Sequence, residues 1–236
     1  MRLTDHYDRK YAGQSGPAEI ARVAHAGDRF EALVEVAARG AHGRYLEIGA
    51  GSGATLRALE PLYDELVGTE LSPVRGQQLA AAFAGHGKVR VVCHDIEAER
   101  LRFPDDYFDT IAMSAVIEHL VEPIAALVEL RRVLRPGGRL LIDTPNIAKW
   151  TRRVKLALGY FPATASHDEG LTTYDRKPSD LHDEGHLHYF TFRSLRRICT
   201  ERAGFSAVLP HGYGRTALSR WWPTLFSDDV FVVAIK

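Results

Sequence analysis

Short apolar runs alternate with longer amphipathic stretches along most of this chain, and the alternation predicts strands and helices in turn. Tyr45, Leu46 and Ile48 make the first strand, and Ala54 to Leu62 continues as a helix. Glu65 to Glu70 predicts a second strand, Pro73 to Ala84 a helix with proline near its start, and Lys88 to Cys93 a third strand. Phe108 to Met113 is the fourth strand, and Pro123 to Leu134 an amphipathic helix with Ile124, Leu127, Val128 and Leu130 on one face. Pro136-Gly137-Gly138 stops that helix, and Arg139 to Asp143 is the fifth strand. A helix capped by Thr191 runs to Ala203, with Phe192, Leu195, Ile198 and Cys199 inward and Gly204 at its end. Phe205 to Leu209 and Val230 to Ile235 are the last two strands.

Such an order predicts an α/β fold: a parallel sheet with helices on both faces and a ligand crevice outside the carboxyl ends of the strands. Polar residues just past a strand are therefore candidates for the site: Glu70, Asp95, Ser114, Thr144 and Asn146. Two stretches stand outside the alternation. Residues 1–40 form an N-terminal helical segment, in which Pro17 to Arg39 is helical in period, Gly27 and Asp28 divide it, and HYDRKYA ahead of it is either a flap over the site or a frayed end. Residues 147–190 are rich in His, Asp and aromatic side chains and too long for an ordinary connection, which predicts a substrate-side insertion. Near the C-terminus, Trp221-Trp222-Pro223 belongs to core or to a pocket rim, with core packing the expected role for at least one tryptophan.

Composition narrows the function classes. At 236 residues, 45% hydrophobic and 25% charged, residues 1–236 suit one domain with a sizeable core. Thirty basic and thirty acidic residues cancel, so no global field gathers nucleic acid, and no nucleic-acid partner is expected. Two cysteines, Cys93 and Cys199, one in a predicted strand and one in a predicted helix, argue against a disulfide framework or a thiolate zinc site. The first residues lack the apolar core of a signal peptide and no run approaches a membrane span, so a cytoplasmic location is expected.

The most informative stretch is RYLEIGAGSGATL, Arg44 to Leu56, with glycines at 49, 51 and 53 between a strand and a helix. Glycine has no Cβ, so backbone N–H groups there approach a ligand closely. The spacing departs from the dinucleotide fingerprint, whose third glycine lies one residue later. Glu70 ends the second strand 21 residues after Gly49, where a carboxylate can accept both hydroxyls of a ribose. An adenosine-type ligand is expected.

LEIGAGSG, Glu70, HDIE at 94–97, FPDDYFDTI and LRRVLRPGGRLLIDTPN, in that order, resemble the motifs of the class I S-adenosylmethionine-dependent methyltransferases over roughly Tyr45 to Lys236. The resemblance implies a Rossmann-like, mostly parallel sheet of seven strands in the order 3-2-1-4-5-7-6, with the last strand antiparallel, and S-adenosyl-L-methionine as cofactor. Carried over residue by residue, Glu47, Gly49, Ala50, Gly51 and Gly53 would surround the methionine part and ribose, with Glu70 on the ribose hydroxyls and Leu71 beside it. Asp95 would accept from the adenine amino group, Ile96 would pack on the ring, and Ser114 would close the site at the end of strand four. A turn or capping role for Asp95 and a structural, strand-facing role for Glu47 are the competing assignments.

AVIEHL, after strand four, resembles the ubiquinone-type O-methyltransferases and their bacterial relatives, and GHLHYFTFRSLRRICTERAGF resembles the C-terminal portion of the same group. Some members carry E-x-x-E-H here as a metal site. Ala115 replaces the first carboxylate, leaving Glu118 and His119, so no metal is expected. Methyl transfer to a hydroxyl needs in-line positioning, exclusion of water and a proton acceptor. Histidine suits that role, and His119 and His186 are the candidate catalytic residues, the second within the group His182, His186 and His188. A structural pairing of His119 with Glu118, polar loop positions for the later histidines and a metal site built from them with Asp183 and Glu184 are the alternatives. KWTRRVKLALGYF, Lys149 to Phe161, reads as a lid helix, a solvated charged face or a peripheral membrane contact.

The expected function is O-methylation of a small or lipid-like hydroxylated acceptor, such as a quinone, polyketide, sugar or glycolipid precursor. N- or C-methylation of a small molecule, an NAD-dependent oxidoreductase and an inactive cofactor-binding protein are the alternatives. Amino-methylation of nucleic acid is disfavoured because strand four ends in Ser114-Ala115 without an N/D-P-P-Y/F sequence.

Overall fold

A computed structural model describes Thr4, Asp8 and residues 28–40, 42–164, 185–214 and 216–236. Helix α1 (Arg29–Ala38) begins where Asp28 accepts the Glu31 N–H, an N-cap at the division expected at Gly27 and Asp28. Strand β1 (Arg44–Ile48) leads through the glycine loop to α2 (Ala54–Leu59). Then follow β2 (Glu65–Glu70), α3 (Pro73–Ala82) and β3 (Val89–Cys93). Ser72 caps α3 through the Arg75 N–H and donates to Asp8.

Strand β4 (Phe108–Ser114) passes through a short 3-10 turn, Ile117–His119, to α4 (Pro123–Val133) and β5 (Leu134–Pro145). Helix α5 (Trp150–Ala157) follows. Beyond it come α6 (Phe192–Arg197), β6 (Ala207–His211), the short helices α7 (Ala217–Trp221) and α8 (Pro223–Phe226), and β7 (Asp229–Ile235).

The seven strands form one sheet in the order β3-β2-β1-β4-β5-β7-β6. Neighbours are parallel except β7, which runs antiparallel to both β5 and β6. Both faces are covered, as a parallel sheet requires. On one face Leu33 and Val36 of α1, Leu56 and Leu59 of α2 and Leu79 of α3 pack on Tyr45, Leu66, Leu141 and Phe231. On the other, Leu127, Leu130 and Val133 of α4 and Phe192 and Leu195 of α6 pack on Leu46, Ile111, Leu140 and Val232. Burial of one such leucine contributes about 2 kcal/mol, so α1 is fixed to the sheet by its own apolar stripe.

Several local expectations shift. The buried face of α4 is Pro123, Ala126, Leu127, Leu130 and Val133, while Val128 is exposed. Strand β5 starts at Leu134 and carries Pro136-Gly137-Gly138 through a register shift against Phe108–Thr110, so the glycines bend the pairing instead of preceding it. The helix after Thr191 closes its capping box with Ser194 but widens to a π-turn at Ile198–Arg202. No tryptophan is in the core: Trp150, Trp221 and Trp222 are all exposed, Trp221 at the end of α7 and Trp222 between α7 and α8.

Candidate functional site

Gly49, Gly51 and Gly53 all have positive φ, 71°, 54° and 75°, which is the backbone that lets a strand turn back over its own carboxyl end. Crowding adds to the requirement at two of them. A Cβ on Gly49 would meet Val116 Cγ2 at 2.7 Å, and one on Gly53 would meet Leu79 and Phe83. The Ala50 N–H donates to the Thr69 carbonyl at 2.9 Å, so the loop is tied to β2.

Two acids flank this loop. Glu70 Oε2 accepts the Gly51 N–H at 2.9 Å and its Oε1 accepts the Leu71 N–H at 3.2 Å. Burial raises its pKa, and the backbone donors partly oppose that rise. Glu47 is buried, its Oε2 has no hydrogen-bond partner among the described residues, and desolvation pushes its pKa up to about 8. An orphaned buried carboxylate oxygen carries a free-energy cost that an incoming cation would remove.

Glu47 forms part of the wall of a cavity of about 270 Å³, together with Gly49, Ala50, Thr55, Ser114 and Arg29. Arg29 is a functional candidate that the sequence reading missed. It is the first residue of α1, and nothing in its neighbours distinguishes it from the other arginines. Its Nε lies 2.7 Å from Asp143 Oδ1, off the hydrogen-bond line, and its Nη2 donates to Asp229 Oδ1 at 3.0 Å. The Tyr213 hydroxyl, also missed, lies within hydrogen-bond distance of the same two acids.

Asp95 is half-buried, and its Oδ1 accepts the Glu97 N–H at 3.0 Å, the turn contact weighed as its competing role. Ile96, beside it, is partly buried against the core. Of the other candidates past the strands, Asn146 is absorbed by structure. Its Nδ2 donates to the carbonyls of Thr224 and Ser227, and its Oδ1 accepts the Ala148 N–H.

Beyond β4, Ala115 adopts φ 53°, a left-handed alanine that costs on the order of 1 kcal/mol or more. After it, Glu118 and His119 meet Gly185, Leu187 and His188. The Glu118 carbonyl accepts the N–H groups of Leu187 and His188, at 2.8 and 3.2 Å. His119 and His186 stack edge to face with ring centroids 4.8 Å apart. Thr144 donates to Glu118 Oε2 at 2.9 Å, and burial raises the Glu118 pKa.

His119 Nδ1 lies 2.8 Å from the Gly185 carbonyl oxygen, which can only accept, so Nδ1 carries the hydrogen and Nε2 carries the lone pair of the neutral ring. His186 Nδ1 lies 2.8 Å from Thr164 Oγ1. Glu118, His119 and His186 also present ligand atoms within 4.8 Å of one another, a set able to hold a divalent cation. Sequence spacing left two such ligands here; the fold brings the third, His186, beside them. His182, Asp183 and Glu184 lie outside the described residues.

Residues 20–209 match the family described as a methyltransferase domain. The chain belongs to that family. Ubiquinone biosynthesis O-methyltransferase from Cereibacter sphaeroides is 30% identical over 103 residues, 44% of this chain and 41% of that enzyme. Demethylmenaquinone methyltransferase from Clavibacter sepedonicus is 36% identical over 107 residues, 44% of this chain and 43% of that enzyme. The matches thus span less than half of these relatives. The crystal structure of the YcgJ protein from Bacillus subtilis has a TM-score of 0.59 at 19% identity, covering 88% of this chain and 97% of that one, a likeness of fold.

The cofactor of this methyltransferase family is S-adenosylmethionine, and the cavity offers complements to both charges of its amino-acid end. Glu47 supplies an unpartnered buried carboxylate oxygen, and Arg29 supplies a guanidinium whose Nη1 makes no hydrogen bond among the described residues. Glu70, within reach of the loop that would carry the ribose, fits the sugar. No described helix of this methyltransferase is long and apolar enough to cross a membrane.

Proposed function

We propose that this chain catalyses S-adenosylmethionine-dependent O-methylation of a small or lipid-like hydroxylated acceptor, with His119 as the base. The observation that carries the reading is the His119–Gly185 hydrogen bond, which in the neutral ring puts the lone pair on Nε2 at the turn after β4. That turn follows Ser114, which lines the same cavity as Glu47 and Arg29. The O-methyltransferase from Cereibacter sphaeroides is similar over part of the chain and supports the same class of acceptor atom.

In this mechanism the cofactor supplies an electrophilic methyl group on a sulfonium, already activated for displacement. The protein holds the reactants and manages the proton. Glu47 and Arg29 would orient the amino-acid end, Glu70 the ribose, and Asp95 and Ile96 the adenine. His119 Nε2 accepts the acceptor hydroxyl proton as the oxygen attacks, and Glu118, buried against Thr144, offsets the positive charge that develops on the ring. His186, packed on His119, binds the acceptor or shapes its pocket. Helix α5, which buries no residue and exposes Trp150, Val154 and Leu156, is the surface a lipid-like acceptor would meet first.

The deciding experiment supplies the purified protein with S-adenosylmethionine carrying a labelled methyl group and a panel of hydroxylated quinone, polyketide and sugar precursors. Label recovered as an O-methyl ether in one acceptor supports the reading. Label on carbon or nitrogen, or none in any acceptor, overturns it. The convergence of Glu118, His119 and His186 favours a second reading, in which a divalent cation held there lowers the hydroxyl pKa. Loss of activity on chelation, restored by a divalent cation, would select it.

A further inference from the structure

Arg29 begins a helix and has a side chain 36% exposed, a setting in which a long side chain ordinarily samples many rotamers. Here it is fixed on two sides. Nε lies 2.7 Å from Asp143 Oδ1 and Nη2 is 3.0 Å from Asp229 Oδ1. The second oxygens of both acids converge on the Tyr213 hydroxyl, Asp143 Oδ2 at 2.8 Å and Asp229 Oδ2 at 2.5 Å. The four side chains close a ring. Asp143 lies in β5 and Asp229 opens β7, two strands paired in the sheet, and Tyr213 follows β6.

A phenol has one proton and can donate to only one of the two carboxyls; the other must itself be protonated to meet the phenol oxygen. The ring therefore holds one guanidinium, one carboxylate and one carboxylic acid, and is neutral. Burial pushes the Asp143 pKa up to about 8, in agreement with a retained proton. Two acids on separate nitrogens fix the plane of the guanidinium, which one acid would leave free to swing. A neutral ring also avoids repelling an anion that approaches Nη1. Glu47, in the same cavity wall, presents its unpartnered carboxyl oxygen to the ammonium of the same ligand end.

We propose that Asp143, Asp229 and Tyr213 are positioning residues that aim Arg29 at the carboxylate of the cofactor's amino-acid end. The proposal rests on the cavity being the cofactor site. It makes the far half of the sheet, β5 to β7, responsible for recognising one end of a ligand whose sugar and base lie over β1 to β3.

The test is calorimetry with two ligands, S-adenosylhomocysteine, which has the amino-acid end, and methylthioadenosine, which lacks it. Tyr213→Phe removes one hydroxyl and keeps the ring that packs on Phe231, and Asp229→Asn keeps the side-chain shape. Each variant is expected to weaken S-adenosylhomocysteine roughly tenfold or more and to leave methylthioadenosine unchanged. In an Arg29→Ala background, Asp229→Asn should add no further loss. Equal weakening of both ligands, or of neither, overturns the proposal. Wild-type protein that binds neither ligand overturns the cofactor reading itself, an outcome distinct from failure of the ring, in which wild type binds both.

Discussion

The His119 Nδ1–H donates to the carbonyl oxygen of Gly185 across 2.8 Å, and this bond joins the turn after β4 to a stretch of backbone 66 residues on. It decides which imidazole nitrogen can take a proton. His119→Ala is expected to lower kcat by about 10²- to 10⁴-fold while the dissociation constant of S-adenosylhomocysteine stays the same. Single-turnover rates and calorimetry check both halves. Unchanged turnover would remove His119 from the chemistry, and full activity after chelation would leave the base reading in place over the cation reading.

Glu70 ties the glycine loop through Gly51 and Leu71. Glu70→Ala leaves the Gly51 N–H without its acceptor and removes the expected ribose ligand, so S-adenosylhomocysteine should bind about 10- to 100-fold more weakly. Calorimetry reads this directly. Binding within twofold of wild type would show that the sugar is held elsewhere.

Gly49→Ala combines a strained φ of 71° with a Cβ 2.7 Å from Val116 Cγ2. A loss of about 2–4 kcal/mol in unfolding free energy is expected. Adding Val116→Ala should recover the steric part and leave the backbone part. Gly51→Ala, whose Cβ would meet nothing nearer than the Gly49 carbonyl at 3.9 Å, should cost less than Gly49→Ala. Denaturant midpoints give the ranking, and the reverse order would contradict it.

Glu47 has a native pKa of about 8 against an ordinary 4.5, so the folded protein holds a proton that the unfolded chain releases between those values. The native state binds more protons across that window, and stability therefore falls as pH rises through it. Glu47→Gln mimics the neutral form. Its stability relative to wild type should rise from about pH 5 to about pH 9, by on the order of a few kcal/mol at most. Asp143, also raised, is present in both proteins and cancels in the difference. A difference independent of pH, measured by urea unfolding, would rule out a buried titrating Glu47.

The sequence by itself determined the strand and helix order, the glycine loop and the acid at the end of β2, because apolar periodicity and glycine backbone freedom act over a few residues. It also placed the cap at Thr191 and the helix start at Pro73. Tertiary structure decided what depends on distant partners. Arg29 joins the site only because Asp229, 200 residues away, meets it at the start of β7. His186 reaches His119 only because the N–H groups of Leu187 and His188 bond the Glu118 carbonyl, and packing alone leaves the three tryptophans exposed. Local pattern says which side chains can be buried or charged, and only packing says which of them face one another.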